Sequence, residues 1–171
     1  MSQLLLPSQR ALATAMLLTF SLLSSPLAIR AKDPPSEACA LLPAAQLAKV
    51  LEQSFGSPTK STAPAASFDG ITGADCNYQN GTGIPRKLLF RIYVDPTPAV
   101  AKDTFTKLSA YYGPNKAVAG NWDIAYLDAQ HAIHVQKGKM RYYLNLNPLG
   151  TDTAKAEKQL KDLALWVAGQ L

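Results

Sequence analysis

The strongest constraint on the fold sits in residues 122–146. Three strand candidates follow one another there: Trp122–Leu127, Ala129–Lys137 and Lys139–Leu146, broken only at Asp128 and Gly138. Parallel neighbours need a crossover of roughly a dozen residues or more. None fits in these breaks, so the strands must double back as an antiparallel meander. Upstream, Lys87–Val94 alternates Leu88, Phe90, Ile92 and Val94 with Lys87, Leu89, Arg91 and Tyr93, the period of a strand. Ala74–Gln79 is a shorter strand holding Cys76 and Tyr78. Asn80-Gly81-Thr82-Gly83 supplies the Asn-Gly hairpin signal between the two.

Helices punctuate these strands. Pro43 to about Phe55 places Leu47, Val50, Leu51 and Ser54 on one stripe before Gly56. Thr97 and Pro98 give the N-cap and first position of a second helix, with Ala101, Phe105, Leu108 and Tyr112 as its buried stripe and Gly113-Pro114 as its stop. A third runs from about Thr153 to Gly169 with Ala156, Leu160, Leu163, Ala164, Val167 and Leu171 on one face. Residues 56–72, rich in Ser, Thr, Ala, Pro and Gly, read as a long exposed loop. The expectation is an α+β domain: an antiparallel sheet of about five strands in the order α-β-β-α-β-β-β-α, with helices packed on one face.

The N-terminus reads as an export signal. Residues 1–30 hold no Asp or Glu. Arg10 precedes an apolar run from Ala11 to Leu23, followed by Ser24-Ser25-Pro26 and small residues up to Ala31. That is the order of a signal peptide, with cleavage after Ala31 favoured over Ala28. An uncleaved anchor is the competing reading, because Ala11–Ile29 approaches the ~20 residues of a spanning helix; Pro26 weakens it. The chain then divides into a signal (1–31), a polar lead-in (32–38) and a single domain (39–171), exported to the periplasm or beyond, with no membrane span after cleavage.

Export changes the reading of the two cysteines, Cys39 and Cys76. An oxidising compartment and an even count favour a disulfide over a catalytic thiol working with His131 or His134. The closed loop would contribute about 4 kcal/mol on the chain-entropy account. Neither Cys-x-x-Cys nor His-Glu-x-x-His occurs, so no metal or cofactor is expected. The 17 Lys and Arg stand against 12 Asp and Glu; subtracting Arg10 and Arg30 leaves 15 against 12. This mild excess, without a basic block, does not point to nucleic acid.

Ala38-Cys39-Ala40-Leu41-Leu42-Pro43, the following helix to Phe55-Gly56, and Asp75-Cys76-Asn77-Tyr78 resemble small secreted bacterial proteins of unknown function. Among these are actinobacterial lipoproteins with a Cys-x-Leu-Leu…Cys-x-Tyr pattern. Val118–Tyr126 and the Gln136-Lys137-Gly138-Lys139 turn extend the likeness. The resemblance implies a PsbP-like α/β/α sandwich, which would move some helices to the second sheet face. It carries no activity. This chain lacks the lipidation box of those lipoproteins: Ser36-Glu37-Ala38 precedes Cys39.

The alternation also names a candidate ligand-binding face: Lys87, Arg91 and Tyr93, His134 with Gln130 and Gln136, and Lys139, Arg141 and Tyr143 with Asn145, where Arg91, Arg141 and Tyr143 would contact an anionic or peptide ligand. Arg and Tyr give contact area and hydrogen bonds at modest entropy cost. A plain solvated strand face is the alternative. His131 and His134, three apart, fall on opposite faces of a strand, His131 at its edge and His134 at the surface. Trp122 and Trp166 are core or core-edge candidates, and Phe90, Phe105 and Tyr78 core candidates. No Gly-x-Ser-x-Gly, phosphate-cradling Gly loop or paired-carboxylate spacing appears. The expected function is a non-enzymatic binding or accessory module, its partner an envelope protein or a small ligand. A hydrolase with dispersed catalytic residues and a small-ligand carrier are the alternatives.

Overall fold

A computed structural model describes residues 38–63, 70–80 and 85–171. The signal segment 1–31, nearly all of the lead-in 32–38 and Gly81-Thr82-Gly83 of the expected turn lie outside the described residues.

The elements are α1 (Ala38–Leu41), α2 (Ala44–Leu51), β1 (Thr59–Ala63), β2 (Gly73–Gln79), β3 (Lys87–Val94), α3 (Pro98–Tyr112), β4 (Lys116–Ala117), β5 (Ile124–Leu127), β6 (Ile133–Lys137), β7 (Met140–Asn147) and α4 (Thr153–Gln170). The described strands form one sheet of seven, ordered β1-β2-β3-β7-β6-β5-β4. Every neighbouring pair is antiparallel. The class is α+β, with seven strands rather than about five. Two strands escaped the pattern: β1, inside the expected loop 56–72, and the two-residue β4.

The order follows from α3. The meander β4–β7 begins at the far edge and returns to the centre, so β7 pairs with β3. To start it there, the chain must travel four strand spacings, about 19 Å at ~4.8 Å each. The fifteen residues of α3 cover about 22 Å. Thr97 Oγ1 caps the helix by accepting from Val100 N at 3.2 Å, and Pro98 sits in the first turn.

Register assigns the two faces. Phe90, Leu144 and Ile133 are consecutive cross-strand neighbours on one of them. Here α2 brings Leu47 and Leu51, and α4 brings Leu160, Leu163 and Val167, all buried. Each such side chain contributes about 1.5–3 kcal/mol on burial. The Tyr142 hydroxyl donates to Ala164 O at 2.8 Å, and the Tyr78 hydroxyl donates to Leu42 O. The Cys39–Cys76 disulfide, with Cα atoms 5.3 Å apart, ties α1 to β2 on this side.

The other face carries α3, which packs on β6 and β7. Phe105 meets Tyr126 of β5 with ring centroids 5.0 Å apart. Helices therefore cover both faces, correcting the one-face arrangement. An apolar stripe on a helix does not say which side of a sheet it seeks. The double cover explains β6, where Ile133 to Gln136 are all buried. Among the described residues no helix is long and apolar enough to cross a membrane.

Candidate binding face

On the α3 side, one row of residues runs in register across all seven strands: Ala117, Tyr126, His134, Tyr143, Arg91, Asp75 and Ser61. Beside it, Gln136, Arg141 and Tyr93 are consecutive neighbours on β6, β7 and β3. The sheet thus brings Arg91, Tyr93, His134, Arg141 and Tyr143 onto one face.

That face has two halves. Over β5, β6 and β7 it is closed by α3. His134 stacks on Tyr126 at 4.7 Å and 15°, and Tyr143 and Tyr112 lie 5.0 and 5.4 Å from its ring. The ring Nε2 meets Asp128 Oδ2 at 2.9 Å. Asp128 Oδ1 accepts from Gln130 N at 2.8 Å and Ala132 N at 2.9 Å. Burial alone would raise this carboxyl, but the His134 bond and the backbone donors outweigh it and hold it below its ordinary value. His134 is therefore interior, not a surface residue, because α3 lies over it. His131 sits in the turn before β6 at φ 62°, with Nδ1 2.8 Å from Glu157 Oε1. Positive φ is tolerated better by His than by most residues.

Arg141 is also interior. Its Nε and Nη2 donate to Asp95 Oδ2 and Oδ1 at 2.6 and 2.9 Å, and its guanidinium lies 5.0 Å from the Tyr93 ring centroid. Asp95 closes β3, where its own N–H donates to Lys139 O.

Toward β1 the face opens. Arg91 donates to both oxygens of Asp75, at 2.6 and 2.7 Å, a fork-to-carboxylate pair on adjacent strands. Hydrogen bonding to Asp75 pushes the guanidinium further up, against the effect of burial. The Arg91 side chain is still 25% exposed. Tyr93 and Tyr143 are half-buried beside it, and burial raises both phenols, so they stay protonated. Tyr93 lies over Gly73: a Cβ there would fall 2.7 Å from the ring and 2.5 Å from Ile92 O. Asn77 and Gln79 of β2 and Lys87 of β3 are exposed on the same side, with Leu89 and Asn145 half-buried.

Sequence reasoning missed the acids. Asp75 was visible as the polar alternate beside Cys76, but its pairing with Arg91 depends on register. Asp95 stands just before the Thr97 cap, where it looks like part of the helix approach, and Asp128 reads as a turn residue, which it also is. Tyr112 was assigned to the buried stripe of α3; it is 40% exposed and flanks His134 instead. Trp166, expected near the core, is 38% exposed, with its indole N–H on Leu41 O. Among the described residues no three His, Cys, Asp or Glu side chains converge as a metal site requires.

The chain matches no protein-family model, no curated protein and no solved structure.

Proposed function

We propose that this chain is an exported, non-enzymatic binding or accessory module of the cell envelope, whose partner or ligand meets the open half of the polar sheet face around Arg91, Tyr93 and Tyr143. One observation carries the reading. Apart from the exposed Lys87, the acidic and basic groups of this face are committed to each other in three internal pairs, Asp75–Arg91, Asp95–Arg141 and Asp128–His134. Around Arg91 the open half exposes Asn77, Gln79 and Lys87, with Tyr93, Tyr143, Leu89 and Asn145 half-buried. Such a surface suits contact rather than proton transfer.

Export rests on the reading of residues 1–31 as a signal, and the Cys39–Cys76 disulfide supports it. Helices on both sheet faces are in keeping with the layering that the PsbP-like resemblance implies. The hydrolase alternative has one favourable observation, the His134–Asp128 pair. Against it, three tyrosines wall that ring and only 10% of the His134 side chain is exposed.

The test is affinity capture from envelope extract, using protein recovered from the export pathway. A component held by the wild type and by Lys158→Ala on α4, but lost with Tyr93→Ser/Tyr143→Ser, is the expected result. Equal capture by all three forms would sink the proposal.

A further inference from the structure

The open half has a composition that narrows its ligand. Its formal charges among the described residues are Asp75, Lys87 and Arg91, and the first and last neutralise each other through two short hydrogen bonds. An anionic ligand would find Lys87 exposed at one end of the face, but to use Arg91 it would have to displace Asp75. A protein partner is usually anchored by a cluster of apolar side chains. The aliphatic contribution here is Leu89, half-buried between polar neighbours; Ala63 at the edge is buried.

What the surface offers instead, around the self-neutralised Arg91–Asp75 pair and with Lys87 as the cation beside it, is a set of uncharged polar and aromatic groups. Tyr93 and Tyr143 present amphipathic rings. Asn77 and Asn145 each bring donors and an acceptor in one plane. The Arg91–Asp75 pair sets donor and acceptor side by side. Vicinal hydroxyls, which both donate and accept, match such groups, and the C–H face of a sugar ring matches a tyrosine ring. From β1 to β7 the floor is about 14 Å wide, room for several rings in a row. We infer, on the footing of the binding reading above, that this half-face takes a neutral oligosaccharide, with ring faces on Tyr93 and Tyr143 and hydroxyls on Asn77, Asn145 and the Arg91–Asp75 pair.

Calorimetric titration of the exported protein tests this with a panel of neutral chitin, cellulose and glucan fragments, run beside sulfated oligosaccharides. Expected is saturable binding of a neutral fragment, unchanged between low and high salt. Tyr143→Ala should weaken it about tenfold. Asn77→Ala, at an exposed position that leaves the fold alone, should weaken it measurably. Tighter, salt-dependent binding of the sulfated arm would overturn the neutral assignment. So would silence of the whole panel. If the envelope component is still captured through Tyr93 and Tyr143 after that silence, the binding face stands and the sugar assignment falls. If capture also fails, both fall.

Discussion

Arg141 and Asp95 meet in a two-point ion pair, Nε to Oδ2 at 2.6 Å and Nη2 to Oδ1 at 2.9 Å, with 3% and 0% of their side chains exposed. They are 46 residues apart in sequence, and their pairing locks the end of β3 to β7 beneath the start of α3.

Removing one partner leaves the other charge buried without compensation. Asp95→Ala is expected to destabilise the fold by about 3–5 kcal/mol, read as a lowered midpoint in chemical denaturation. Asp103→Ala, at a side chain 64% exposed, breaks only the pair with Lys107, itself 54% exposed, and should leave the midpoint close to the wild type. Arg141→Ala is for the same reason a poor probe of binding: it reports on folding.

Asp128 couples stability to acid. Its folded value lies below the unfolded one of about 3.9. The stabilisation is complete above the unfolded value and disappears as pH falls from there through the folded value. Unfolding profiles at stepped pH should show a loss in that acid range, and Asp128→Asn should flatten that part of the curve. An unchanged slope in the variant would show that His134 and the backbone donors of Gln130 and Ala132 do not depress this group.

The disulfide pins α1 to β2 with Cys76 fully buried and Cys39 8% exposed. A Cys39→Ala/Cys76→Ala variant is expected to lose about 2–5 kcal/mol, followed by thermal unfolding. Thiol labelling of the native protein without reductant should find no free cysteine.

Gly73 is the contact point between β2 and the Tyr93 ring. Gly73→Ala forces its Cβ against Ile92 O and Tyr93. It is expected to cost roughly 1–3 kcal/mol and to move the Tyr93 ring, visible as a change in near-ultraviolet circular dichroism. Gly169→Ala, inside α4 with nothing within 4 Å of the added Cβ, should leave the Tyr93 signal unchanged and hold or slightly raise stability.

The sequence was most legible where one face of an element is apolar. Lys87–Val94 alternates cleanly, and the strand has those bounds. Thr97 and Pro98 announced the start of α3 through cap chemistry alone. Strand β1, Thr-Lys-Ser-Thr-Ala, is an exposed edge with only Ala63 buried, so no hydrophobic period marks it. Alternation put His134 and Arg141 on the polar face with Arg91 and Tyr143. It could not say that α3 covers one half of that face, because the side taken by α3 depends on tertiary packing. The acids that hold the basic groups were hidden for the same reason: cross-strand pairs follow from register, which emerges only when the sheet is assembled.

The most direct measurement is a hydrogen-exchange footprint of the exported protein with its captured envelope component bound. Slowed exchange confined to β2, β3 and β7 around Asp75, Arg91 and Tyr143 is the expected outcome. Protection on α2 and α4 instead, with β2, β3 and β7 unchanged, would contradict the assignment of the polar sheet face as the working surface.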